Sequence, residues 1–400
     1  MRITDCVAAT VLIAVAAVPL EAQDWDSSSV REVAPGVVHR RVVDNRGPWR
    51  VNVLEVDLRR PGIVVRGVRA NDQFMGRETV SSMVARYKGP GTAIAGINTD
   101  FFNTRNGESE NNVVIEGRID KGITVTDSPH ETFDNVHYQF AVDWDNRPMI
   151  DRFVVDAKLH PPGRRPIKLE GINAWPDSNT LVLYTRAYGA ATPPDTFGRK
   201  PTLVPLRLVS ESNGTMEFVV AGNAAEGGAL PLEGGGVLAA SGDRREELRS
   251  IGRRGGRIRV TSRIAPAKTK PRTIVGGWPR VVMNGRSIAE YANIMEGTFP
   301  RFEGRNPRSA VGFSKDSSTL YLVTVDGRRA TDAGMTLVEL ARVLLRLGVY
   351  DGMNFDGGGS TAMVVEGKLV NRPSDPNGER AVGSGLLVIV DAGKPVKATR

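Results

Sequence analysis

The 400-residue chain contains a single cysteine, Cys6, close to its N-terminus. One thiol excludes an internal disulfide framework, and its position ahead of an apolar run excludes a lipoprotein anchor. Histidine is scarce too. His39, His130, His137 and His160 show no metal-ligand spacing, which argues against a built zinc site. No GxSxG elbow occurs, so the nucleophile-elbow hydrolases are excluded. No segment repeats with a period of 20–50 residues, which removes propellers and solenoids. Apart from residues 7–20, no apolar run approaches the ~20 residues a membrane helix needs.

That one run, "VAATVLIAVAAVPL", follows Arg2 and leads into "EAQDW". Too short to span a bilayer, it has the form of a secretory h-region with small Ala22 as the cleavage position. Asp5 in the basic n-region departs from the pattern, and a short buried helix is the competing reading. The expectation is a signal peptide over residues 1–22 and a secreted or periplasmic product without stable membrane insertion. Net charge is +8. Such a surplus suits nucleic acid, an anionic membrane or an anionic polymer. The charges are scattered except at "GRRGGRIR" and "PGRRP", so they read as a solvated basic surface and not as a nucleic-acid footprint.

What is abundant is glycine, 44 residues in a composition that is otherwise globular, pointing to a loop-rich and strand-rich fold. Residues 36–68 alternate as antiparallel strands do. "ETVSSMVARYKG" places Val80, Met83, Val84 and Tyr87 at helical spacing before Gly89. "TAIAGIN" reads as a buried strand delivering "NTDFFN" at its end. Further strands are expected at "NVVIEGR", "YQFAVDW", "TLVLYT", "MEFVVAG" and "GRIRVTS", and "REELRSIG" is helix-like. "TLVELARVLLRLG" is the clearest helix: Thr336 and Glu339 form a capping-box pattern, Leu337, Leu340, Ala341, Leu344 and Leu345 make the apolar stripe, and Gly348 closes it. "AMVVEGKLV" reads as a hairpin turning at Glu366-Gly367. The fold class is α+β, a strand-rich single domain over residues 30–392 with a few short helices on mixed or antiparallel sheet.

The stretch "NFDGGGSTAMVVEG" poses the functional question. Each glycine in a regular element costs roughly 0.5–1 kcal/mol relative to alanine, so three together imply a need for bare backbone. A P-loop is excluded, because no lysine follows and a strand replaces the helix. Two readings remain: a nest of amides facing an anion, or a bulge required for tight packing. Asp100 in "NTDFFN", Arg308 in "NPRSAVGF", and Asp326 with Arg328 in "VTVDGRR" also sit where predicted strands meet loops. Each alone reads as a turn. Together they supply arginine forks that match phosphate geometry and carboxylates suited to steps at a sugar carbon.

In order along the chain, "AGINTDFFN", "LVLYTRAYG", "LEGGGVLAASG", "IVGGWPRVVMNGR", "PRSAVGF", "VTVDGR", "NFDGGGSTAMV" and "NRPSDPNGERAVGSGLLV" resemble the phosphodiester glycosidase family. Thr99 departs from it, standing where the family usually has glycine. The resemblance implies hydrolysis of the bond between a sugar's anomeric carbon and a phosphate, with a sugar-phosphate diester or an anionic envelope polymer as partner. It also implies site roles. Arg308 and Arg328 would hold phosphate, and Gly357, Gly358, Gly359, Ser360 and Thr361 would cradle the ligand. Asp356, Asp100 and Asp326 would supply nucleophile, base or sugar contacts, and Asn98 a pocket hydrogen bond. No cofactor is required, although these carboxylates could take a divalent cation. Two alternatives stay open: a non-catalytic sugar- or wall-polymer-binding module, and a phosphodiesterase that cleaves at phosphorus.

Overall fold

Central strands of this protein are apolar on both faces, and that sets the layering. In Trp49–Asp57, Val51 and Val53 enter one core while Leu54 and Val56 enter another. In Ser384–Val390, Leu386 and Val388 share the second core with Leu54, whereas Leu387 and Ile389 face a third. Successive side chains of a strand point to opposite faces, so each of these strands must be covered twice.

The computed structural model describes residues 27–123, 137–174, 178–195, 198–296 and 304–391; the expected signal peptide lies outside them. Eight antiparallel strands run in the order Ser27–Ala34, Val37–Asp44, Trp49–Asp57, Thr319–Val325, Arg308–Phe313, Asp351–Phe355, Arg280–Met283 and Arg286–Ser287. Five more run in the order Lys368–Leu369, Met363–Val365, Thr92–Asn98, Ser384–Val390 and Ile63–Arg69. Leu54, Met353 and Phe355 of the first sheet pack with Ile97, Met363 and Leu386 of the second, so the two sheets are layered face to face. The helix Leu337–Arg346 covers the outer face of the eight-stranded sheet through Leu340 and Leu344. The helix Val80–Ala85 covers the outer face of the five-stranded sheet through Val80, Met83 and Val84.

A third sheet, of fourteen strands, takes in most of residues 113–275 and includes the parallel pair Gly171–Ile172 and Leu181–Thr185. It builds a core of its own around Leu159, Leu183, Leu206, Phe218 and Val260. The fold is therefore dominated by strands more strongly than an even α+β description conveys. Among the described residues, no helix is long and apolar enough to cross a membrane.

Local signals account for the helix ends. The Glu339 amide donates to Thr336 Oγ1 at 3.2 Å and the Thr336 amide donates to Glu339 Oε2 at 2.9 Å, a complete capping box,. Val343 is buried where the stripe pointed to Leu345, which is only partly covered. The shorter helix stops at Ala85, before Tyr87. Glu366 and Gly367, with φ of 50° and 71°, form the tight turn between Met363–Val365 and Lys368–Leu369,.

Register gathers the sequence motifs. Arg308 pairs with Val325, and Ser309 pairs with Phe355. The chain therefore leaves toward Asp326 and Asp356, and enters at Arg308, along one edge of the eight-stranded sheet. Two strand spacings put the two exits about 10 Å apart across Arg308. The capping box makes a direct test of the helix that backs this sheet. Thr336→Ala should cost about 1 kcal/mol of unfolding free energy in urea with an unchanged m-value; an undiminished free energy would show that the cap does not support the helix.

Candidate active site

Asn98 ends the strand Thr92–Asn98 and is fully buried. Its side-chain amide donates to the carbonyl of Asp356 at 2.7 Å. Its oxygen accepts from Ser309 Oγ at 2.7 Å and from the Ala362 amide at 3.1 Å. Asn98 is thus committed to protein partners that bind the glycine loop to both sheets. It acts as a strut, and a direct pocket contact would compete with these bonds.

The next residue explains its own departure from the family pattern. Thr99 is buried, its hydroxyl shares a 2.9 Å hydrogen bond with that of Ser384, and its carbonyl accepts from the Asp356 amide at 2.7 Å. The extra side chain is absorbed by the protein, while the backbone still positions the aspartate.

The three glycines each have a steric reason. A Cβ on Gly357 would lie 2.6 Å from the Pro307 carbonyl oxygen. Gly358 has φ of 59°, and a Cβ there would lie 2.9 Å from Arg328 Nη2. At Gly359 a Cβ would overlap the guanidinium of Arg380. Hydrogen bonding narrows the amide-nest reading, and the Gly357 amide bonds the Asp356 carboxylate. The amides of Gly358, Ser360 and Thr361 donate to the carbonyls of Pro307, Gly357 and Gly358, so they are not turned outward. The run is bare because the Pro307 carbonyl and two arginines lie against it.

Those arginines crowd together. Arg308 is buried and donates to the carbonyls of Met335 at 2.8 Å and Gly304 at 2.9 Å. Burial, and then the neighbouring charge of Arg328, push its guanidinium down to about 10. Arg328 is exposed and donates to the neutral oxygen of Asn306 at 3.1 Å; among the described residues it has no carboxylate partner. Arg380 is held by Asp375 at 2.8 Å and reaches Ser360 Oγ at 3.4 Å. Arg380 belongs to this site although its motif did not single it out. No local signal marks it, since Arg372 stands in the same polar loop.

Two carboxylates lie within this rim. Asp356 retains some accessible surface, yet desolvation raises its pKa to about 7; the hydrogen bond from Ser360 and the charge of Arg380 oppose the shift, and the charge of Asp100 adds to it. Asp100 is buried and raised to about 6, again by desolvation, against hydrogen bonds from the Asn111 amide at 2.9 Å and side chain at 2.7 Å. Gly276 leaves room for it, since a Cβ there would overlap the Asp100 carboxylate. Beside it, Phe101 stacks on Trp278 at 3.9 Å and His137 stacks on Trp278 at 4.2 Å.

Asp326 shares the sheet edge but has separate company. It accepts from the Arg372 amide at 2.9 Å, and burial raises it to about 6, with the charge of Asp332 adding to the rise. Asp332 is itself paired with Arg50 at 2.5 Å and Arg372 at 3.4 Å. Among the described residues, no group of three His, Cys, Asp or Glu side chains could hold a metal ion. The arginine rim would also repel one, so the divalent-cation expectation finds no ligand set.

The strand-dominated scaffold has structural precedent. A hypothetical protein from Synechocystis shares the fold, with a TM-score of 0.75 and 20% identity over 92% of this chain and 64% of that one. The phosphodiester glycosidase family model matches residues 207–389, a segment that holds Arg308, Asp326, Arg328, the glycine loop and Arg380. Over that segment the chain is similar to the phosphodiester glycosidase family. The SPbeta prophage-derived uncharacterized protein YomE of Bacillus subtilis is 39% identical over 21% of this chain and 13% of its own. The bovine N-acetylglucosamine-1-phosphodiester alpha-N-acetylglucosaminidase is 37% identical over 24% of this chain and 18% of its own. The matches thus span less than a fifth of either curated relative.

The raised pKa of Asp356 has a thermodynamic consequence with a definite sign. Below about pH 4 the carboxyl is protonated in both folded and unfolded chains and carries no penalty. Between about pH 4 and 7 the unfolded chain ionises while the folded one keeps its proton, so stability falls as pH rises. Asp356→Asn lacks this loss. It should melt higher than the wild type at pH 8 and lose that advantage near pH 4. A melting difference independent of pH would show that Asp356 titrates normally.

Proposed function

We propose that this protein is a glycosidase-type hydrolase acting on sugar-1-phosphodiesters, exported and directed at an envelope or exopolymer substrate. The observation that carries the reading is the convergence of Arg308, Arg328 and Arg380 on the glycine loop that bears Asp356, with Asp100 alongside. Guanidinium groups brought close to one another repel, and a dianionic or monoanionic phosphate is the complement that relieves the repulsion. Two carboxylates with raised pKa values are the complement of a sugar carbon undergoing substitution. Export rests on the N-terminal apolar run and on a chain with no cysteine beyond residue 6.

In the proposed reaction the bond between the anomeric carbon and the bridging oxygen breaks, and its electron pair stays with the phosphate. The arginines stabilise the charge that develops there, so little protonation of the leaving group is needed. Water supplies the new oxygen on the sugar carbon, and its proton passes to a carboxylate. Asp356 suits this step, since a pKa of about 7 leaves it a strong enough base while still substantially ionised at neutral pH,. Asp100 raises that pKa by its charge, and the half-buried Phe101 next to it, backed by Trp278, offers a wall for the sugar ring. Asp326 would contact the more distant part of the substrate.

Hydrolysis of a sugar-1-phosphodiester in oxygen-18 water tests the bond directly. The label should appear in the released sugar and be absent from the phosphomonoester. Label in the phosphate would establish cleavage at phosphorus, and no turnover by the purified protein of any of a panel of sugar-1-phosphodiesters would favour a binding module.

Two variants test the roles. Asp356→Asn should abolish turnover, and Arg380→Ala should lower kcat by about 100-fold, the scale of losing one preorganised charged donor. Wild-type activity should rise through an apparent pKa near 7 that belongs to the Asp356 and Asp100 pair,. A flat profile from pH 5 to 8 would remove that pair from the mechanism.

A further inference from the structure

A second cleft of about 910 Å³ lies apart from the glycine loop. None of Asn98, Asp100, Asp326, Arg308, Arg328 or Asp356 lines it. Its walls come from the loop at residues 72–75, the start of Arg118–Ile123, the turn at residues 185–190, and the hairpin joining Thr202–Ser212 to Thr215–Val220. Its volume is at the upper end of the roughly 300–1,000 Å³ of small-molecule sites.

The chemistry of the lining restricts the occupant. The Tyr188 ring is half-buried at the wall, and Phe74 at 4.7 Å and Tyr184 at 5.0 Å back it. Such backing holds an aromatic face in place. Around it most charges are already paired within the protein. Arg69 and Arg118 both bind Asp120, at 3.0 and 2.6 Å; Glu116 pairs with Arg66 and Asp72 with Arg86. Arg186 and Lys270 remain at the rim opposite Glu211. A polyanion needs a cluster of uncommitted cations, and here Arg69, Arg118, Arg66 and Arg86 are already engaged with carboxylates. An apolar ligand would strand the charged rim without partners.

A sugar chain satisfies both conditions. The C–H face of a pyranose packs on an aromatic ring, whose face is electron-rich, and its hydroxyls can donate to or accept from both signs of charge. We propose that this cleft binds a neutral oligosaccharide of a few rings. The strand Arg118–Ile123 connects it to the candidate active site, because Arg118 lines the cleft while Lys121, paired with Glu108 at 2.8 Å, exerts its charge on Asp100. The proposal stands on the cleft alone and holds whichever bond the protein cleaves.

The full chain is titrated with chitotetraose, cellotetraose and maltotetraose, and binding is read by saturation-transfer NMR and calorimetry. At least one should bind, and Tyr188→Ala should weaken it by about tenfold, the scale of an aromatic anchor lost from a binding site. Arg186→Ala alters an exposed side chain and should weaken the same sugar several-fold, which keeps the test valid if the tyrosine variant fails to fold. The proposal is overturned if none of the three sugars binds, or if the folded variants bind as the wild type does. Binding of a glycerol-phosphate oligomer without any neutral sugar would also overturn it, making the cleft an anion site.

Discussion

Everything in the candidate active site depends on how one buried amide is shared. Asn98 stands where the five-stranded sheet meets the edge of the eight-stranded one, and its three hydrogen bonds reach Asp356, Ser309 and Ala362. Those partners come from the glycine loop and from the strand Arg308–Phe313. A buried amide that loses a partner carries a desolvation cost of about 1–3 kcal/mol, so the geometry in which all three are satisfied is strongly preferred. That geometry places the Asp356 carboxylate at the mouth between the sheets, with Arg308 in the neighbouring strand.

Around this strut the site is organised by charge that the protein itself leaves poorly compensated. Buried aspartates with raised pKa values and guanidiniums crowded around a glycine loop both reduce stability. They are tolerated because the layers on either side are thoroughly packed: Leu340 and Leu344 above one sheet, Val80 and Met83 beneath the other. Cost at the site and surplus in the cores are two parts of one arrangement, common where a rigid scaffold must hold reactive groups. The glycine loop is its narrowest point, since no side chain fits between the backbone and the two arginines that rest on it.

The motifs differed in how much they disclosed. The helix Leu337–Arg346 was legible nearly to the residue, because its cap and stripe act over four residues and need no distant partner. The Glu366-Gly367 hairpin was legible for the same reason. The glycine run showed that bare backbone was needed but not why, since the atoms that exclude a Cβ come from Pro307, Arg328 and Arg380, far along the chain. Arg380 itself went unrecognised. Nothing in its local sequence separates an arginine that folds over a loop twenty residues away from one in solvent. Asn98 was read as a ligand contact because a polar residue at a strand end commonly is one, and only the burial of its partners shows it to be a strut.

By itself, the sequence determined the strand-rich character, the ends of the best helices, the absence of an internal disulfide framework and the family resemblance. These follow from short-range periodicity, capping and composition, which are properties of neighbours along the chain. Tertiary structure decided the layering of two sheets between helices, the separate core around residues 155–260, and the raised pKa values of Asp100 and Asp356. It also decided that Gly358 and Gly359 lie against guanidiniums and that the Gly358, Ser360 and Thr361 amides are spent inside the protein. Desolvation and steric exclusion depend on which distant atoms arrive at a point, and that is settled only when the strands have found their register.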